Sequence, residues 1–117
     1  MAKVLALYYI KNCGKVVFEN INVIQTNSDY RASSTILVEN CDEVIIRNVF
    51  IAGTANKAHI RIEGCKKVLI EYVEISGYDY GDGWMCGPGI NVENTSQWTI
   101  IQNCYIHDYT ALNSGLD

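Results

Sequence analysis

The segment from Gly77 to Gly89 reads Gly-Tyr-Asp-Tyr-Gly-Asp-Gly-Trp-Met-Cys-Gly-Pro-Gly. Tyr80 and Trp84 offer flat faces on which a sugar ring can stack. Asp79 and Asp82 can accept hydrogen bonds from sugar hydroxyls. Calcium is the one cofactor this pair could hold, through carboxylate oxygens; no other is expected. The glycines permit tight turns, so the segment reads as a loop. It reads equally well as a surface loop that packs its own aromatics onto the protein body.

A second set of groups sits on alternating stretches. Ile60-Arg61-Ile62-Glu63 and Ile90-Asn91-Val92-Glu93 alternate apolar with polar residues, which is the period of a strand. Arg61, Glu63 and Glu93 therefore point away from the apolar side. Two carboxylates beside a guanidinium can serve as acid and base. With Glu39 they also form a row that could hold a cation. The alternative is a solvated face, with Lys11 relieving the repulsion at one end.

These stretches belong to a repeat. Tyr8-Tyr9-Ile10-Lys11-Asn12-Cys13, Ile36-Leu37-Val38-Glu39-Asn40-Cys41, Ile60-Arg61-Ile62-Glu63-Gly64-Cys65 and Ile90-Asn91-Val92-Glu93-Asn94-Thr95 are four versions of one pattern. Each is followed by a second alternation (Val16/Phe18, Val44/Ile46, Val68/Ile70, Thr99/Ile101). A third follows (Ile21/Val23, Val49/Ile51, Val73/Ile75, Cys104/Ile106). Measured at Ile21, Val49, Val73 and Cys104, the spacings are 28, 24 and 31 residues. Short strands repeated at variable spacing predict a solenoid whose insertions collect in loops. Those loops are Gln25–Ser34, Gly53–Ala58 and Gly77–Gly89.

Two corners separate the strands. Asn12, Asn40, Gly64 and Asn94 occupy one; Asn20, Asn48, Tyr72 and Asn103 occupy the other, with Tyr72 out of character. Asn and Gly accept the left-handed backbone that a one-residue bend requires. Outward columns follow from stacking. Tyr9-Leu37-Arg61-Asn91 and Lys11-Glu39-Glu63-Glu93 line the first strands. Glu19-Arg47-Glu71-Gln102 alternates charge along the second. Val17-Ile45-Leu69-Ile100 is aliphatic although it points outward, which predicts a packing partner.

The pattern, from about Tyr8 to Ile106, resembles the right-handed parallel β-helix of the pectate-lyase-like superfamily. The resemblance implies an all-β solenoid of about four coils with three short strands each. It implies one domain, 1–117, cut from a larger protein or completed by an oligomer. The fold hosts polysaccharide lyases, glycoside hydrolases, phage tailspikes and inert shafts, so it does not specify an activity. The implied function is carbohydrate recognition within a polysaccharide-active or phage tailspike-like protein, with polysaccharide or oligosaccharide as the partner. In enzymes of this kind the groove runs along the first-strand face. Here that face carries His59, Arg61, Glu63 and Glu93 beside the Gly77–Gly89 loop. Arg61, Glu63 and Glu93 are the only catalytic candidates for a lyase or hydrolase, and the paired aspartates of polygalacturonase-like enzymes are absent. The alternative is a structural module that assembles through Val17, Ile45, Leu69 and Ile100, as a homotrimer or against a flanking domain.

Composition narrows the rest. The 117 residues carry a net charge of −4, which argues against nucleic acid. No apolar run reaches the ~20 residues of a membrane span, and no secretory signal is evident. Of the five cysteines, Cys13, Cys41 and Cys65 share one column and Cys104 reads as core, where thiols behave as small hydrophobes. Cys86, in a loop, is the reactive one. No spacing suggests a zinc site. Free thiols suit folding in a reducing compartment, and the final location stays open between virion, extracellular space and cytoplasm.

Overall fold

A computed structural model describes residues 6–25, 34–54, 58–80, 89–107 and 110–111. Among them are ten strands and no helix: β1 (Ala6–Lys11), β2 (Lys15–Gln25), β3 (Ser34–Glu39), β4 (Glu43–Thr54), β5 (Ile60–Glu63), β6 (Lys67–Tyr80), β7 (Ile90–Glu93), β8 (Trp98–Gln102), β9 (Tyr105–His107) and β10 (Thr110–Ala111). The strands form two parallel sheets. One has the order β1-β3-β5-β7; the other runs β2-β4-β6, with β8, β9 and β10 pairing β6. Through β8 the chain thus alternates between the sheets.

Pairing follows the repeat residue by residue. Ile10 faces Val38, Val38 faces Ile62 and Ile62 faces Val92. Val17, Ile45, Leu69 and Ile100 likewise stand in register. The inward residues of both sheets share one core: Ile36, Val38, Ile46, Ile51, Ile60, Ile62, Ile70 and Ile75 have no exposed surface. β-branched side chains suit this role, being stiff and well packed on a pleated surface.

All eight corner residues adopt the left-handed backbone. The seven non-glycine residues, Tyr72 included, have φ between 53° and 60°, and Gly64 has φ 69°. The first corner continues the ladder: Asn12 N–H donates to Glu39 O, Asn40 N–H to Glu63 O and Gly64 N–H to Glu93 O, each at 3.0 Å. A Cβ on Gly64 would stand 2.6 Å from Asn40 Oδ1, so a side chain here would oblige the Asn40 amide to turn aside.

The expected three short strands per repeat are corrected at the second corner. β2, β4 and β6 run unbroken through Asn20, Asn48 and Tyr72. A single left-handed residue turns the chain without ending its pairing, so two expected strands merge into one bent strand. Only at Asn103 are they separate, as β8 and β9. The loop boundaries shift too: β4 extends to Thr54 and β6 to Tyr80, into segments read as loops.

The thiols of Cys13, Cys41, Cys65 and Cys104 are free. Cys41 and Cys65 are buried, while Cys13 is exposed. Cys13 N–H donates to Cys41 Sγ and Cys41 N–H to Cys65 Sγ, both at 3.4 Å. Each thiol of the column donates to the carbonyl two residues before it. Cys104 is half-buried against the core. Cys86 lies outside the described residues.

Ile62, fully buried between Val38 and Val92, tests this arrangement. Ile62→Ala should lower unfolding free energy by ~2–5 kcal/mol. A neutral result in urea denaturation would mean that the inward and outward faces are exchanged, as a one-residue slip would do.

Candidate functional site

The first-strand face brings Arg61, Glu63 and Glu93 together, as their alternation requires. Two of its charges pair with each other. Arg61 Nη2 donates to Glu63 Oε1 at 2.6 Å. The Tyr9 hydroxyl donates to Glu39, and this bond, with the negative charge of Glu39 and Glu63, pushes the phenol above its ordinary pKa. Lys11 Nζ lies 5.7 Å from the Tyr9 ring centre. Glu39, Asn40, Glu63, Gly64 and Asn94 line a small polar hollow of about 220 Å³. The exposed column is interrupted at Leu37, only 1 % exposed. Both faces of β3 are out of water from Ser34 to Val38, so Leu37 is no part of an outer wall.

His59 departs further from expectation. Neither solvated nor a wall residue, it is fully buried. Its Nε2 is 3.2 Å from Gly53 O and its Nδ1 is 2.7 Å from Thr35 Oγ1. A carbonyl can only accept, so Nε2 carries the proton and Nδ1 accepts the threonine hydroxyl. The backbone repeats the tie: Thr35 N–H and Ile36 N–H both donate to His59 O at 2.8 Å. The ring thus links the start of β3 to the end of β4. Burial lowers its pKa to about 4, against the opposing hydrogen bond to Gly53.

Of the expected ligand residues, Asp79 and Tyr80 lie in β6, where their backbones pair with Thr110 and Ala111 of β10. Their side chains, and all of Asp82 and Trp84, lie outside the described residues. The aliphatic column is outward as expected. Val17 and Ile100 are 49 % and 44 % exposed, and Ile45 and Leu69 are half-buried. In the neighbouring column Arg47 Nε sits 3.7 Å from both Glu19 and Glu71, and Gln102 donates to Glu71 at 2.8 Å.

A larger hollow lies elsewhere, beside the second corner. Asn48, Phe50, Tyr72, Glu74, Asn103 and Tyr105 line an open groove of about 340 Å³. The corner column supplies Asn48, Tyr72 and Asn103; the outward column after it supplies Asn22, Phe50, Glu74 and Tyr105, matched across β2, β4, β6 and β9. His107 Nε2 donates to Glu74 Oε2 at 2.7 Å, and the His107 ring stacks on Tyr105 at 3.9 Å. Asn48 Nδ2 donates to Asn20 Oδ1 at 3.1 Å along the corner. Tyr72 is 56 % exposed and Tyr105 62 %. Aromatic faces, amides and one carboxylate converge here from successive repeats. The sequence carries the signal, in the outward column Asn22-Phe50-Glu74-Tyr105 and in the tyrosine that breaks the corner asparagines. Reading only the first two strands of each repeat misses it.

The buried imidazole makes a pH prediction. His59 stays neutral in the folded chain down to about pH 4, whereas the unfolded chain takes up the proton near pH ~6.5. Above that pH the group contributes no pH dependence. As pH falls from ~6.5 to about 4 it should destabilise the fold by a total of about 3 kcal/mol. Urea unfolding from pH 7.5 to 4, compared with His59→Gln, isolates this slope, which the variant should lack.

No protein-family model matches this chain, and no curated protein and no solved structure matches it either.

Proposed function

We infer that this chain is a right-handed parallel β-helix segment that recognises carbohydrate, and that the groove beside the second corner is its saccharide site. The observation that carries the reading is Tyr72. A bulky residue with φ 53° is an outlier, because the left-handed region costs a side-chain-bearing residue ~1–2 kcal/mol. Asparagine, which fills the equivalent positions 20, 48 and 103, tolerates that region better. Strain of this kind persists where function needs it. Here it holds an exposed aromatic face beside Phe50 and Tyr105, with amides and Glu74 around it.

A groove of about 340 Å³ falls in the range of small-ligand sites. Stacking on Tyr72 and hydrogen bonds to Asn48, Asn103 and Glu74 suit neutral or amino sugars. A uronate would meet the Glu74 carboxylate and a protein of net charge −4. β6, which supplies Tyr72 and Glu74 to the groove, continues to Asp79 and Tyr80. The helix assignment is supported by in-register parallel pairing, left-handed bends at fixed positions and a chain that alternates between two sheets. Cleavage by Arg61, Glu63 and Glu93 has less support, since Arg61 gives its charge to Glu63.

Tyr72→Asn should move two quantities in opposite directions. Glycan affinity should fall at least about tenfold, equivalent to ~1.4 kcal/mol, while stability rises by ~0.5–1 kcal/mol as the strain is relieved. Glycan-array screening followed by calorimetry on the best ligand reads the first; urea unfolding reads the second. Binding that survives Tyr72→Asn but is lost in Trp84→Ala would move the site to the Gly77–Gly89 segment. Binding that survives both would sink the carbohydrate reading.

The outward aliphatic column favours a second reading, a structural module packed laterally against a partner through Val17, Ile45, Leu69 and Ile100. Ile45→Asp with Leu69→Asp should then abolish lateral assembly in light scattering while leaving glycan binding unchanged.

A further inference from the structure

Both ends of the two sheets are open among the described residues. β1 pairs only β3 and β2 only β4; at the other end β7 pairs only β5, and β8 and β9 pair only β6. An edge of this kind presents unpaired backbone donors and acceptors to any matching strand. The far edge also leaves core positions uncovered. Ile101 and Ile106 are 47 % and 44 % exposed, whereas Ile70 and Ile75, their partners on β6, are at 0 %.

We propose that this far edge receives the near edge of a second copy of the chain, head to tail, continuing the parallel register. Charge and shape select that partner. One further step along each column sets Lys11 of the second copy against Glu93, Glu19 against Gln102 and Lys15 against the exposed Trp98 ring. It also sets Phe18 on Ile101 and Val23 on Ile106. The same columns already make such pairs inside one chain: Gln102 donates to Glu71, and Arg47 lies between Glu19 and Glu71. A symmetric contact of two far edges, or of two near edges, would instead run the strands antiparallel and lose the column-by-column register. The head-to-tail contact does not close on itself, so the product is an open stack whose length grows with concentration.

Light scattering over a concentration series should show the mass rising from 13.1 kDa through and beyond the dimer. Ile101→Lys with Ile106→Lys, at exposed positions, should remain monomeric. The direction of stacking is read by a charge exchange, which also decides the matter should the lysine pair fail to fold. Lys11→Glu alone and Glu93→Lys alone should each shift assembly to several-fold higher concentration. Their equimolar mixture should restore wild-type assembly, with circular dichroism confirming that each variant keeps its strands. A wild-type chain that stays monomeric throughout would overturn the proposal, its far edge then being covered by the chain itself. So would assembly that ignores the end variants, or a mixture that fails to recover. Loss of assembly only in Ile45→Asp with Leu69→Asp would assign association to the lateral stripe instead.

Discussion

Everything in this molecule depends on a left-handed bend placed at the same position in every repeat. A strand alternates its side chains with a period of two, so one residue more or less before a bend would turn the core face outward. The bends at Asn12, Asn40 and Gly64 are held in step with the next by hydrogen bonds from the corner N–H to the next repeat's glutamate carbonyl. Those at Asn20 and Asn48 are tied by their own amides. Asparagine fits because it tolerates the conformation and brings a donor and an acceptor that its stacked neighbour can use. The core of isoleucine and valine is a consequence of that regularity as much as its cause.

The sites of interest are the places where the repeat breaks its own rule. Tyr72 replaces an asparagine and opens an aromatic face at the corner. His59 enters a position sealed from water and joins the threonine near the start of β3 to the glycine that interrupts the register of β4 against β6. In the first case strain is tolerated in exchange for an exposed ring. In the second, a titratable group is confined to its neutral form so that three segments stay together. Both departures trade stability, one at all pH and one only in acid.

Much of the architecture was legible in residue type and spacing. Asn and Gly marked all eight bends but the one at Tyr72, and the alternating valines and isoleucines marked the core. The alternating charges from Glu19 to Gln102 announced their own pairing. Strand continuity was not legible, because whether a bend ends a strand depends on hydrogen bonds to neighbouring repeats. Nor was the burial of Leu37 and His59, since period alone says which way a side chain points and not whether something distant covers it. The groove escaped for a related reason. Its residues come from β2, β4, β6, β9 and the bend at Asn103 and are far apart in sequence, so each looks like an isolated surface group until the repeats are superposed.

The unbroken bent strands also determine how the molecule would carry a mechanical load. β2 and β4 are matched from Lys15 and Glu43 to Gln25 and Gly53, on both sides of the bend. Tension applied across the strands is shared among all the ladder bonds between two such repeats, and these must rupture together. Tension applied at one end of a strand would peel the bonds one after another, and the bend would be no obstacle to that unzipping. The same backbone is therefore stiff in one direction and yielding in the other, an anisotropy set by where its asparagines stand.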